Sequence, residues 1–353
     1  MIDLDDISQI KKLDKSKVLK SIDLFPEQCF QALEETEKLN LPYLEREIVN
    51  IVVPGMGGSA FAPEIVKTLF TREIKLPYEI IREYHLPAYV NEKSLVIISS
   101  YSATTKEAIS CGKEALERGC QVFVICSHRE KNELFLFAKE KKLPGYIFKE
   151  TYNPSLQPRL GGGYMVCGHA GLLIKTGLVN LTFEKIKRAV WEAKNLNKKD
   201  QAKQMARQLF GLFPILVASE FLEGTIHGFA NQLNENAKTN SFYHFIPELN
   251  HHRMEGLEFP QEFKKIGIFI FYPSQFYEER VQIRYQLTKE IVEKNGFKTL
   301  EFKPQGQDKI VQAFEIMIFN SYVSFYLAIL YGKNPGEIPW VDYFKKELSA
   351  HEK

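Results

Sequence analysis

The chain lacks three things: an excess of either charge, a cysteine pattern and a long apolar run. Lys and Arg number 46 against 44 Asp and Glu, a net charge of +2, and the basic residues are scattered. Neither nucleic acid nor a membrane surface is therefore expected as a partner. Cys29, Cys111, Cys120, Cys126 and Cys167 are odd in number and show no C-x-x-C spacing. They read as small buried hydrophobes in a reducing compartment, and a cytoplasmic location is expected. Charged and apolar positions alternate through the N-terminal stretch, unlike a signal peptide, and no apolar run reaches membrane-spanning length.

With 44% hydrophobic and 25% charged residues in 353 positions, the chain is an ordinary globular protein with room for two domains. Apolar positions recur at helical spacing in KVLKSIDLFPEQCFQALE. Five short β-branched runs follow, separated by helical patterns: IVNIVV, YEIIREY, LVIISS, QVFVICS and GYIFKE. That alternation predicts a doubly wound parallel sheet, with helices from about residue 62 and over 106–118 and 130–141. PSLQPRLGGG breaks the rhythm and marks a crossing between domains. Helices then run to about residue 210, before a second α/β series through FPILVAS, residues 243–246, KIGIFIFYP and KTLEF. Its helices are expected over 225–238, 276–294 and 308–330. The predicted fold is thus two α/β sandwiches with parallel sheets plus N-terminal helices. Its divisions are a helical segment at 1–46, a first domain at 47–153, a linker with helices at 154–210 and a second domain at 211–353.

Two turns rich in glycine and hydroxyl groups stand at the ends of such runs. One is Pro54-Gly55-Met56-Gly57-Gly58-Ser59; the other is Ser100-Tyr101-Ser102-Ala103-Thr104-Thr105. A buried parallel strand that ends in small residues and starts a helix aims free backbone N–H groups at one spot, which favours an anion. Roughly one βαβαβ step separates the two, so both can converge at one sheet edge on a monophosphorylated small molecule. Two other readings stand beside this one. Gly55 to Ala60 also fits the G-x-G-x-x-A dinucleotide fingerprint, with Glu83 as its acidic partner, though such a site needs no second hydroxyl cluster. The turns can also be purely structural.

GMGGSA, SYSATT, PRLGGGY, NENAK and ELNHH, in that order, resemble the motifs of the bifunctional phosphoglucose/phosphomannose isomerase family, built from two sugar-isomerase (SIS) domains. FPEQ and a C-terminal N-P-x-x-x-x-x-V-x-x-F-K stretch extend the resemblance over essentially the whole chain. It implies an aldose–ketose isomerase for glucose 6-phosphate and fructose 6-phosphate, with mannose 6-phosphate as an open second aldose. It also implies a homodimer that needs no metal or other cofactor.

Moving a carbonyl between C1 and C2 requires a base, a group to open the ring and a positive charge for the enediolate. The resemblance makes Glu235, in Asn234-Glu235-Asn236, the base; otherwise it is an exposed helix-end residue. His251 matches the ring-opening histidine, contributed from the other subunit, and imidazole suits proton transfer near neutrality. Arg159 matches the arginine that faces the enediolate; otherwise it is a linker arginine paired with a surface acid. Lys345 corresponds by spacing to a C-terminal lysine, with Lys346 beside it. Gly57, Gly58, Ser59, Ser100, Ser102 and Thr105 match the phosphate-binding set. Departures are Ala103-Thr104 in place of Gly-Asn and His252-Arg253-Met254 in place of Asn-Glu-Ile. His251 and His252 show no metal-ligand spacing, so zinc is not expected. The rivals are a non-catalytic phosphosugar-binding regulator and another SIS-type enzyme.

Overall fold

A computed structural model describes residues 2–42, 47–196 and 198–351. Positions 43–46, which close the expected N-terminal segment, lie outside the described residues. The N-terminal stretch folds as helices Ile7–Leu13, Val18–Asp23 and Phe25–Glu37. Strands β1 (Asn50–Pro54), β2 (Tyr78–Ile81), β3 (Ser94–Ser100), β4 (Gln121–Ser127) and β5 (Gly145–Phe148) form one sheet in the order β2-β1-β3-β4-β5. Strands β6 (Phe213–Ala218), β7 (Phe242–Phe245), β8 (Gly267–Phe271) and β9 (Lys298–Glu301) form a second sheet in the order β7-β6-β8-β9. Every pairing is parallel. The fold class expected from the alternation is the one observed.

The first sheet shows why its strands read as unbroken apolar runs: both faces are covered. Ile51, Val53, Leu95, Ile97, Phe123 and Ile125 join the main core, whereas Val52, Val96, Ile98, Val122 and Val124 join a second cluster with Ala108, Cys111, Leu134 and Phe137. Helices Lys106–Glu117 and Glu133–Glu140 cover that second face. On the main-core side, helix Phe25–Glu37 packs against Gly162–Lys175, and helix Gly58–Leu69 packs against Glu223–Glu235 from the other half. All five cysteines are buried and free.

Two expectations shift. The helix after β1 begins at Gly58 rather than near residue 62, although Pro63 lies within it. Pro63 has no N–H to give Ser59, whose carbonyl would otherwise be orphaned. Ser99 Oγ donates to that carbonyl at 2.7 Å, so the helix runs on. Helix Lys309–Leu330 is long and apolar enough to cross a membrane by length and composition, contrary to the expectation from the sequence. Gln312, Glu315 and Asn320 interrupt the run in sequence, and 94% of its most apolar window is buried inside the protein. It is the central core helix, packed against Phe183–Asn195, Lys199–Leu209 and Glu223–Glu235.

Candidate active site

The two hydroxyl turns meet at the carboxyl edge of the first sheet and are bonded to each other. Ser59 Oγ accepts the Tyr101 N–H at 2.8 Å, which leaves the Ser59 hydroxyl proton free to donate. Ser99, with its proton on the Ser59 carbonyl, accepts from the buried His169 Nε2 at 3.0 Å. Burial pushes the His169 imidazole down to about 3, so it stands neutral behind the turn. Gly57 takes φ 50°, and a side chain on Gly55 would stand 2.9 Å from the Ser59 carbonyl oxygen. In the second turn Ser100 Oγ lies 2.7 Å from Thr105 Oγ1, and Ser102 Oγ lies 2.8 Å from Thr104 Oγ1. Ala103 takes φ 56° where the resemblance anticipates glycine, a left-handed conformation that costs an alanine about 1 kcal/mol. The N-cap Thr105 makes no side-chain bond to the first turn of helix Lys106–Glu117.

Arg159 enters from the 3₁₀ turn Pro158–Leu160. Gly58 abuts the backbone of Pro158 and Arg159, and Gly161 packs so tightly on the Tyr101 ring that an added Cβ would fall 1.9 Å from it. The turn carrying Arg159 is thereby held against both hydroxyl turns. The guanidinium is fully buried and uses all five N–H donors. Nε donates to Asn236 Oδ1 at 2.6 Å; Nη1 donates to Gln157 Oε1 at 2.9 Å and Glu235 Oε2 at 3.1 Å. Nη2 donates to the carbonyls of Pro335 at 2.7 Å and Gly336 at 3.2 Å. Burial lowers its pKa, and the Glu235 carboxylate opposes that shift. Glu235 ends helix Glu223–Glu235 with its side chain 30% exposed, so one carboxylate is both anchored and reachable.

Lys238 is a member of this group that went unassigned, although NENAK contains it. Its Nζ donates to the carbonyls of Glu235 at 2.9 Å, Asn236 at 3.1 Å and Asn334 at 2.9 Å. The lysine thus ties the C-terminal end of the Glu235 helix to the segment that carries Pro335 and Gly336. Burial, helped by Arg159, pushes its pKa down to about 8. A cleft beside it is lined by Glu235, Asn334, Glu337, Pro339, Trp340 and Val341 among others.

The other two expected residues are exposed. His251 is exposed on the short helix Leu249–His252, and Lys345 is exposed on helix Pro339–His351. Among the described residues, the Arg159 guanidinium donates to neither of them. The structure brings together Gly57, Gly58, Ser59, Ser100, Ser102, Thr105, Arg159 and Glu235, and leaves His251 and Lys345 on the surface. Among the described residues, no group of three or more His, Cys, Asp or Glu side chains is arranged to hold a metal ion.

Residues 198–348 match the family described as the bacterial phospho-glucose isomerase C-terminal SIS domain. A protein of Caldicellulosiruptor bescii named bifunctional phosphoglucose/phosphomannose isomerase is 27% identical over 342 residues, covering 94% of this chain and 99% of the relative. Its namesake from Aquifex aeolicus is 28% identical over 303 residues, covering 85% of this chain and 91% of the relative. A hypothetical protein of Thermus thermophilus shares the fold with a TM-score of 0.72 at 14% identity, covering 98% of this chain and 94% of its own. Residues 198–348 are therefore similar to the bacterial phospho-glucose isomerase C-terminal SIS domain, and over most of its length the chain is similar to proteins named bifunctional phosphoglucose/phosphomannose isomerase.

Proposed function

We propose that the chain interconverts glucose 6-phosphate and fructose 6-phosphate through an enediol(ate), with mannose 6-phosphate as a candidate second aldose. One observation carries this reading: a carboxylate locked to a buried guanidinium sits beside two interlocked hydroxyl turns. The turns take the phosphate through the Ser59, Ser100, Ser102 and Thr105 hydroxyls. Glu235 removes the proton from C2 of the open-chain aldose and the electron pair moves toward the C1 oxygen to give the enediolate. The C2-hydroxyl proton passes to the C1 oxygen, and Glu235 returns the carbon-bound proton to C1 as the C2 carbonyl forms. Arg159 supplies its permanent charge at the point where negative charge develops. Because its five donors are taken, direct donation to the enediolate oxygens requires it to release Gln157 or the Pro335 and Gly336 carbonyls. Conversion of fructose 6-phosphate into glucose 6-phosphate, read by a coupled dehydrogenase, is the expected result. A protein that binds fructose 6-phosphate without converting it is instead a phosphosugar-binding regulator.

His251 fits this reading as a contribution to the neighbouring site of a cytoplasmic homodimer, since it is exposed in its own chain, whereas Lys345 is exposed on the helix whose first residues line the cleft beside Glu235. Mixed His251→Ala and Glu235→Gln subunits should then regain part of the activity that each variant lacks alone. A mixture as inactive as its parents, after confirmed subunit exchange, assigns His251 to its own chain.

A further inference from the structure

The central helix Lys309–Leu330, besides Gln312, Glu315 and Asn320, buries Ser321 and Ser324, one turn apart on one face. Opposite them, also one turn apart, stand Gln232 and Asn236 at the end of the Glu235 helix. Asn236 Nδ2 donates to Ser324 Oγ at 2.9 Å, and Gln232 Nε2 donates to Ser321 Oγ at 3.0 Å. Ser324 gives its own proton to the Ser321 carbonyl at 2.9 Å, so it can only accept from Asn236. That fixes which way the Asn236 amide faces: its NH₂ points to Ser324 and its carbonyl oxygen to Arg159 Nε. Gln232 reaches the Arg159 backbone carbonyl at 3.4 Å in the same row. Asn236 and Ser324 are completely buried, so a reversed amide would set an N–H against the guanidinium with no water to relieve it.

We infer that Ser324 and Asn236 are positioning residues that orient Arg159 and, through it, the Glu235 carboxylate. The inference rests on the proposed isomerase function for its kinetic test but not for its spectroscopic one. Without the Ser324 hydroxyl, the Asn236 amide loses its directional lock and Arg159 Nε loses a fixed acceptor. The guanidinium then samples orientations in which Nη1 no longer meets Glu235.

The decisive experiment compares Ser324→Ala, Asn236→Ala, the double variant and Ser94→Ala. Ser94 is buried at the opposite end of β3 and serves as a control for loss of an interior hydroxyl. In Ser324→Ala, kcat should fall about tenfold with KM little changed, the size expected when one buried donor loses its acceptor. Adding Ser324→Ala to Asn236→Ala should change nothing further, because serine acts only through asparagine. A full independent loss in the double variant overturns the relay, as does a fall in Ser94→Ala equal to that in Ser324→Ala. Independently of turnover, the Arg159 Nε–H resonance, assigned by its disappearance in Arg159→Lys, should lose protection from solvent exchange in Ser324→Ala. Unchanged protection overturns the inference. Wild-type protein that fails to isomerise while the resonance responds as expected overturns the isomerase reading alone.

Discussion

The two sheets place their inner strands in the same way, yet their carboxyl edges are built for opposite purposes. In both, the first strand of the series lies between the second and third, which opens a crevice above β1 and β3 in one half and above β6 and β8 in the other. The first crevice is lined with Gly57, Gly58, Ser59 and the Ser100–Thr105 turn. The second has Ser219-Glu220 after β6 and Tyr272-Pro273-Ser274 after β8. Its donors are already engaged: Glu220 Oε1 accepts the Glu278 N–H at 2.8 Å, and Tyr277 Oη accepts from Ser219 N at 3.4 Å. Beyond β9, buried Glu315 accepts the N–H groups of Gln305 and Gly306. The second half supplies its own acceptors, whereas the hydroxyls of the first are bonded among themselves, Ser100 with Thr105 and Ser102 with Thr104. Topology creates two crevices, and side chains make them differ.

Four experiments would break or sharpen that comparison. Glu235 stands where the halves meet, so Glu235→Gln should give the largest effect, a fall in kcat of at least about a hundredfold, the scale of one positioned acid–base group. Gln keeps an acceptor for Arg159 Nη1, so normal turnover in this variant removes Glu235 from the mechanism. Next, Ser102→Ala in the first crevice should weaken phosphate and fructose 6-phosphate binding by about one to two decades, from loss of a bond worth roughly 1.5–3 kcal/mol. Ser274→Ala in the second should leave both unchanged by calorimetry. Equal losses would mean that the two edges do not differ as described.

Gly161→Ala should lower stability to chemical denaturation by about 1–3 kcal/mol, because the Tyr101 ring must yield to the new methyl group. A variant as stable as the parent would show that the turns tolerate displacement. The smallest effect belongs to Glu223, raised to about 7 chiefly by burial, with the Glu64 carboxylate adding to the shift and a backbone hydrogen bond at Glu220 opposing it. A folded pKa above the unfolded one means that its contribution is complete below about pH 4.5 and fades as pH rises through 7. Glu223→Gln should therefore stabilise the protein at pH 8 and have little effect at pH 4, read from urea midpoints. Equal midpoint shifts at both pH values would contradict this.

Much of this was legible in the chain because it depends on neighbours in sequence. Short runs rich in β-branched and aromatic residues between helical patterns announce all nine strands, and the runs before Gly55 and Ser100 also announce their turns. What escaped depends on distant partners. The start of the helix at Gly58 turns on Ser99, which rescues the Ser59 carbonyl, 40 positions away, that Pro63 cannot use. The polar residues of the central helix look like flaws in an apolar run until Asn236, Gln232 and Tyr272 are found opposite them. Lys238 lay in a recognised motif, but its role as a clasp needed Asn334, 96 residues away, to be seen. The saturated guanidinium of Arg159 could not be foreseen either, since its acceptors come from separate stretches of chain.

Arg159 lies outside the recognisable 198–348 stretch, while Glu235 lies inside it. The unit that sequence identifies as a domain is therefore not a unit of inheritance for the chemistry. A gene fusion that carried the C-terminal module alone would transmit a carboxylate without its counter-charge, and one that carried the N-terminal half would transmit a guanidinium with its Glu235, Asn236, Pro335 and Gly336 acceptors missing. Recombination can exchange these halves only between parents that agree on both sides of one 3.1 Å contact.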